Sequence, residues 1–269
     1  MTVIMEQVEA IVPTEFSSYV DLGYADDTAL ISDDVETLQV VFHTLLEKAK
    51  CFGLQPNMDK TLHLQVRHSA EILDPWGAAV KTTAKAKYLG GILSADGTCT
   101  SAVVSRLGEG RSVFQNLLAI WKHSTLPLSR KLAVFRACVL SKLMYSLEVY
   151  CLKKHERDKL DAFHAMCLRR ILRIPHPMLS HISNKTVFER AEAVPFSVQL
   201  IARQVSLFNK IAALPNGNLL RSSIFNAGSN IPRVSHGPRR QGRPRLSWAT
   251  VAYAHARTDA DVLPNAAPE

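Results

Sequence analysis

Several features are scarce or missing in this 269-residue chain. No run approaches the roughly 18 uninterrupted apolar residues that span a bilayer, so no membrane partner is expected. The five cysteines include no C-x-x-C pair, which argues against a structural zinc site, and their odd count favours a reducing compartment. The start, M-T-V-I-M-E, lacks a basic secretory signal. These absences predict an intracellular protein, nuclear or cytoplasmic.

Charge is divided unevenly along the chain. Residues 1–98 hold 7 Lys/Arg against 14 Asp/Glu, whereas residues 99–269 hold 25 against 10, which gives −7 and +15 around a total of +8. A basic half of this size indicates a polyanion partner, and the alternative is a solvated basic surface with no partner. Hydrophobic residues at 47% are enough for a packed core.

Two adjacent acids stand between short alternating segments near the start. V-D-L-G-Y precedes Ala25, Asp26 and Asp27, and T-A-L-I-S follows them. This pattern predicts a β-hairpin with both carboxylates at its tip. Neighbouring carboxylates repel each other unless a cation lies nearby, and a divalent cation with oxygen ligands is the usual solution. The alternative is ordinary turn chemistry, because Asp is common in turns.

The rest of residues 18–98 predicts a sheet with one helix. Asp33 is the predicted N-cap of an amphipathic helix, and Glu36 would close a capping box. Leu62, Leu64 and Val66 alternate as in a strand, and A-D-G-T at 95–98 resembles a hairpin turn. The expected fold class is α+β, a short antiparallel sheet with a helix on one face. Residues 1–17 receive no assignment.

Apolar spacing becomes helical from about residue 101, which predicts a mostly helical region over 99–213. Its four helical stretches are marked by apolar residues at 103–121, 132–143, 160–171 and 198–211. His164 and Cys167 are spaced as a metal pair would be, but with no second pair nearby they are interpreted as packing residues. Residues 214–269 are predicted to be a basic Gly/Pro-rich linker and a C-terminal tail.

Arginines provide candidate phosphate contacts in two places. Arg169, Arg170 and Arg173 lie on one predicted helix, where Arg169 and Arg173 would share a face. Arg239, Arg240 and Arg243 lie in an acid-free stretch of the predicted linker. In both places a solvated basic surface is the alternative.

The order of the motifs resembles one family, the reverse transcriptases of non-LTR retrotransposons of the long-interspersed-element type. The similar segments are Y-A-D-D-T-A-L, then G-L-Q-P-N-M-D-K-T, then Y-L-G-G-I-L-S, and downstream R-K-L-A-V-F-R-A-C-V-L-S-K-L-M-Y, L-D-A-F-H-A-M-C-L-R-R-I-L-R-I and G-R-P-R-L-S-W. The resemblance covers about residues 18–250. It implies a partial polymerase palm followed by a helical, thumb-like region.

The resemblance also implies roles for residues. Asp26 and Asp27 would hold Mg²⁺ or Mn²⁺, with Asp26 the closer ligand, and Lys60 would stand near the leaving group. Tyr24 would lie beside the primer end, and the turn at Leu89 and Gly90 would support the primer backbone. The partners would be an RNA template and a DNA primer.

The departures from the family pattern limit the expected activity. Family members carry a further catalytic aspartate and a nucleotide-positioning helix upstream, and neither appears within Met1–Tyr19. The expectation is therefore a polymerase fragment that is inactive alone. A nucleic-acid-binding module and a relic without function are the alternatives.

Overall fold

The computed structural model describes residues 2–11, 19–66, 69–233 and 247–262. The chain divides into two compact units, Met1–Thr98 and Cys99–Glu269, of mixed helix and sheet. In the described ranges no helix is long and apolar enough to cross a membrane.

The N-terminal unit combines two helices with short paired strands. Its helices are α1 (Thr2–Ile11) and α2 (Val35–Cys51). Its strands are β1 (Tyr19–Tyr24), β2 (Asp27–Ser32), β3 (His63–Leu64), β4 (Thr82–Thr83), β5 (Lys85–Tyr88) and β6 (Gly91–Ser94). The strands form separate two-stranded pairs, β1–β2 and β5–β6 antiparallel and β3–β4 parallel. This mixture of helix and short strands is compatible with the predicted α+β class, but the described strands form three separate pairs, one of them parallel, rather than a short antiparallel sheet.

A small core lies between the two helices of this unit. Ile4, Met5 and Val8 of α1 pack with Val41 and Leu45 of α2. Tyr19 and Leu30 cover this cluster from one face of the β1–β2 hairpin. Residues 1–17 receive no assignment from the sequence, and the structure shows that α1 supplies three of the five buried residues of this core.

Local chemistry corrects two details. The N-cap of α2 is Asp34 rather than Asp33, because the Asp34 carboxylate accepts a 2.7 Å bond from the Thr37 backbone NH. The Thr37 hydroxyl and NH also lower the pKa of Asp34. The A-D-G-T segment does not join two strands. It forms a turn between β6 and the helix that begins at Thr100, and in this turn the Thr98 NH and hydroxyl donate to the Asp96 carboxylate.

The C-terminal unit is helical in the described residues. Its helices are α3 (Thr100–Asn116), α4 (Leu118–Lys122), α5 (Leu128–Val134), α6 (Ser141–Met144), α7 (Lys154–Ile171), α8 (Pro177–Ser180), α9 (Asn184–Arg190), α10 (Phe196–Ala212), α11 (Leu219–Ile224) and α12 (Trp248–Val262). A π-helical segment, Phe135–Leu140, joins α5 to α6. The four predicted helical stretches are confirmed.

Aromatic rings fill the centre of the C-terminal unit. Phe114 stacks on Trp121 with centroids 5.2 Å apart, and Phe135 meets Phe114 edge-on at 6.3 Å. Gly110 lets α3 approach α7, because a Cβ there would lie 3.2 Å from the Phe163 ring. The two glycines of α3 are therefore not equivalent: Gly108 has open space around it.

The region predicted to be a linker and tail contains packed structure. Phe225 beside α11 and Ala252 of α12 join Phe208 and Ile211 of α10 in a second buried cluster. The Trp248 indole NH donates to the Glu148 carbonyl at 2.6 Å. The prediction of a linker and tail is wrong for residues 224–225 and 248–256, because Ile224, Phe225, Trp248 and Tyr253 pack against α10.

Candidate functional site

The two acids lie at the tip of a hairpin, as predicted. β1 pairs with β2 from Tyr19↔Ser32 to Tyr24↔Asp27, which leaves Ala25 and Asp26 as a two-residue turn. Asp26 is in the turn, Asp27 begins β2, and both are exposed. The tip thus presents adjacent carboxylates to solvent.

The turn itself is strained. Ala25 has a φ of 55°, in the region that L-residues other than Gly, Asn and Asp seldom adopt. Two-residue hairpin turns require a positive φ at one or both positions because the turn must match the strand twist. Ala25 supplies this angle at a cost of roughly 1 kcal/mol, which the strand pairing offsets.

A second hairpin with a two-residue turn is hydrogen-bonded to the first. Tyr88 pairs with Gly91, so Leu89 and Gly90 form its turn, with φ of 46° and 78°. The predicted turn at Leu89 and Gly90 is confirmed. The Tyr88 hydroxyl donates to the Leu22 carbonyl of β1 at 2.9 Å. This bond connects the second turn to the strand that leads into the acidic tip.

Tyr24 points away from any core. Its side chain is 66% exposed, beside Asp27 in the register. The Tyr24 ring therefore contributes little to a core. Leu22 and Ile31 on the same face are also about half exposed.

Lys60 lies in a different local structure. It is exposed in a turn where its backbone NH donates to the Asn57 carbonyl and side chain. Among the described residues no hydrogen bond or ion pair joins Lys60 to either hairpin. Its role beside the leaving group stays a prediction.

Asp26 and Asp27 are the oxygen donors available to a divalent cation at the tip. Carboxylates suit Mg²⁺ and Mn²⁺, which prefer hard oxygen ligands. No cluster of three or more His, Cys, Asp or Glu with metal-site geometry occurs in the part of the chain that the structure describes. The tip therefore offers two of the ligands that an octahedral ion needs.

Arg169 is not a phosphate contact. Its residue is 6% exposed, and its guanidinium donates to the carbonyls of Pro175 and Ile182 and to the Asn184 side chain. Every donor is directed into the loop that follows α7. The sequence prediction is wrong because helical spacing does not show that the loop folds back over this face.

The neighbouring arginines lie elsewhere. Arg170 is exposed on the last turn of α7, whereas Arg173 lies beyond the helix, with a φ of 57°. Arg169 and Arg173 therefore do not share a helical face. Arg239, Arg240 and Arg243 lie outside the described residues.

His164 and Cys167 are packing residues, as interpreted. The His164 ring stacks on Phe135 with centroids 5.5 Å apart and meets Phe188 at 5.0 Å. Burial lowers the pKa of His164 to about 4, so the ring is neutral at pH 7. Burial likewise raises the pKa of the Cys167 thiol.

Sequence reasoning missed a buried polar group at the start of α7. Glu156 accepts bonds from the Lys153 NH at 2.8 Å, the Thr100 hydroxyl at 2.7 Å and the Cys99 thiol at 3.3 Å. Burial raises the pKa of Glu156, but these bonds outweigh it and lower the pKa overall. Burial and the Glu156 carboxylate raise the pKa of Cys99 to about 12, which makes it a poor nucleophile.

Tyr88 and Lys131 were also missed. Tyr88 opens the Y-L-G-G-I-L-S segment, and its bond to Leu22 spans 66 residues, so no local spacing signals it. Lys131 is buried although it is charged, and nothing in the helical spacing indicates this. Its ammonium donates to the Trp121 carbonyl at 3.0 Å and the His123 carbonyl at 2.6 Å.

No protein-family model, curated protein or solved structure matches this chain.

Proposed function

We propose that this chain derives from an RNA-directed DNA polymerase of the non-LTR retrotransposon type, and that residues 19–94 are part of its palm. The observation that carries the proposal is the exposed Asp26–Asp27 pair on a two-residue hairpin turn. The Tyr88–Leu22 bond supports it, because it fixes the turn at Leu89 and Gly90 to the acidic hairpin.

In this proposal Asp26 and Asp27 would hold Mg²⁺ or Mn²⁺ in the intact enzyme. The ions would supply charge stabilisation for transfer of a nucleotidyl group from a nucleoside triphosphate to a primer hydroxyl, with pyrophosphate as the leaving group. Tyr24 would contact the primer end, since its exposed ring stands beside Asp27 in the register. The template would be RNA and the primer DNA.

The described chain does not complete this site. Two carboxylates from one turn leave most coordination positions to water, so metal affinity should be weak. Transfer also requires the reacting groups to be held in line, which two exposed side chains do not achieve. We therefore expect no primer extension by this chain alone above that of the Asp26→Asn, Asp27→Asn variant.

A chimera tests the palm assignment. Residues 19–94 would replace the corresponding segment of an active non-LTR reverse transcriptase, and primer extension on an RNA template would be measured. The expected result is metal-dependent extension that Asp26→Asn abolishes and Asp33→Asn, at an acid outside the tip, preserves. A folded chimera without extension, judged by circular dichroism and by duplex binding, would contradict the assignment.

Metal titration gives a second, activity-independent measurement. Mn²⁺ broadening of the NMR signals of residues 24–28 should appear only at high metal concentration and vanish in Asp26→Asn, Asp27→Asn. Tight binding that survives this double substitution would place the metal elsewhere.

A nucleic-acid-binding module is the second candidate function. The observation that favours it is the charge of +15 on residues 99–269, in a unit that folds around its own core.

A further inference from the structure

Two long stretches of the C-terminal unit contain no acidic residue. Residues 110–147 hold six Lys/Arg and no Asp or Glu, and residues 162–188 hold four Lys/Arg and no Asp or Glu. Such stretches are separated in sequence by an ordinary mixed segment that includes Glu148, Glu156, Asp158 and Asp161. Charge alone does not reveal whether they meet in the fold.

The structure joins the two stretches at the turn after α4. The Arg173 guanidinium, from the second stretch, donates to the Lys122 carbonyl at 3.3 Å. The buried Lys131 ammonium, from the first stretch, donates to the carbonyls of Trp121 and His123. Among the described residues Lys131 has no acidic partner. One turn is thus held by two cations, while the Lys122 and His123 side chains remain exposed.

Arg169 holds the loop that follows α7 in place by hydrogen bonds. Its guanidinium binds Pro175, Ser180, Ile182 and Asn184, so the chain that carries α8 is fixed at several points. A side chain that was expected to touch phosphate therefore acts as the internal support of the loop.

This supported loop presents apolar side chains to solvent. Met178 and Leu179 of α8 are each 78% exposed, more than any other large hydrophobic residue in the described chain. Positive φ angles at Arg173 (57°) and His181 (53°) turn the backbone on either side of α8. Because the buried Arg169 guanidinium holds this loop by hydrogen bonds, Met178 and Leu179 form an ordered protrusion on the surface.

We propose that Lys122, His123, Arg173, Met178 and Leu179 form a surface that binds double-stranded DNA, here named the loop surface. The cations contact backbone phosphates, and the absence of acids removes repulsion from a polyanion. Met178 and Leu179 enter the minor groove as an aliphatic wedge. Single strands are bound mainly by aromatic stacking, and the protrusion is aliphatic, which favours a duplex.

The test uses the full chain and a short fluorescein-labelled DNA duplex, with affinity measured by anisotropy over a range of salt concentrations. Lys122→Gln, Arg173→Gln removes two charges and keeps polar side chains. It should lower affinity about tenfold and reduce the salt dependence by about two phosphate contacts. The matched control is Lys154→Gln, Lys159→Gln on α7, outside both acid-free stretches, with an expected change of less than about twofold.

The protrusion is tested separately. Met178→Ser, Leu179→Ser should weaken duplex binding while leaving the salt dependence unchanged, and should abolish duplex bending measured by energy transfer between end labels. Thermal midpoints of all variants establish that they are folded. If the Gln pair is unfolded, Lys122→Gln alone must still weaken binding, because only the Lys122 backbone carbonyl makes the described bond.

Three results would overturn the proposal: equal loss in the control pair, single-stranded RNA binding at least as tight as duplex binding, or binding to anionic phosphatidylserine vesicles in place of DNA. The loop surface is tested at Lys122, Arg173, Met178 and Leu179 of the C-terminal unit, whereas the chimera carries only residues 19–94 of the N-terminal unit. Failure of the polymerase assignment and failure of the loop surface are therefore distinguishable.

Discussion

The two units of this protein differ in how many of their apolar side chains are buried. Among the described residues, those of the N-terminal unit contribute nine of the 38 buried apolar residues, none of them aromatic, and twelve of the 24 exposed large hydrophobics. Residues 99–269 bury the other 29, including Trp121, Phe135 and Phe196. Within the described residues, the helical unit buries more apolar side chains than it exposes, whereas the strand-containing unit exposes more large hydrophobic side chains than it buries.

The difference follows from architecture. An isolated pair of strands is marginally stable, since it can bury only one face against a helix. Leu22, Tyr24 and Ile31 occupy the uncovered face of the β1–β2 hairpin. Helices packed on several sides can hide an apolar stripe completely, as α7 does for Leu160, Phe163 and Leu168. Stability should therefore be concentrated in the C-terminal unit.

The largest effect is expected at Arg169. Arg169→Leu should destabilise the C-terminal unit by about 3 kcal/mol, because the part-buried Ile182 carbonyl and the Asn184 side chain lose their charged donor. Arg170→Leu, at an exposed neighbour, should change stability by less than about 0.5 kcal/mol. Urea unfolding followed by near-UV circular dichroism measures both. Equal effects would mean that the loop after α7 is not held by the buried guanidinium.

His164 makes the stability of the C-terminal unit sensitive to acid. Its pKa is about 4 when folded, below the ordinary value of 6.5, so the unfolded chain binds the proton more readily. Stability should fall as pH drops from 6.5 towards 4, by at most about 3 kcal/mol. His164→Phe should flatten this part of the pH profile. A profile unchanged by the substitution would assign the acid sensitivity to other groups.

The two glycines of α3 should respond with opposite signs. Gly110→Ala should cost about 1–2 kcal/mol, because the new Cβ would crowd the Phe163 ring. Gly108→Ala should gain about 0.5–1 kcal/mol through helix propensity, with open space at the site. Thermal unfolding of the two variants measures the difference. Stabilisation by both substitutions would show that the space between α3 and α7 can accept a methyl group at residue 110.

The smallest effect on stability is expected in the N-terminal unit. Leu89→Asn should stabilise the β5–β6 hairpin by up to about 1 kcal/mol, since Asn accepts the positive φ that Leu89 has. Leu93→Asn, in β6, should give no gain because its backbone is not in that region. Amide hydrogen exchange of residues 85–94 reports the change. A gain from Leu93→Asn alone would point to side-chain polarity instead of turn geometry.

Local features were the part of the structure that the sequence predicted well. Alternation placed Asp26 and Asp27 at a hairpin tip, and helical spacing located α2, α3, α7 and α10. These predictions succeed because period and turn chemistry act over a few residues. The shift of the cap from Asp33 to Asp34 shows how far such boundaries can move.

Contacts between distant segments were not predictable in the same way. Packing of α11 and α12 on α10, the Tyr88–Leu22 bond and the burial of Arg169 and Lys131 each join residues that no periodic pattern relates. Glycine and proline content suggested a linker after residue 214, yet a few apolar side chains were enough to fold parts of it onto α10.

The sequence by itself determined which residues could form hairpins and helices, where the acids stand, and that one half is acidic and the other basic. Only the tertiary structure decided which cations face solvent. Arg169 and Arg173 differ by four positions, but a returning loop buries one and leaves the other beside Lys122. The reason is physical: periodicity fixes the direction of a side chain from its own helix, whereas burial depends on what else packs against that direction.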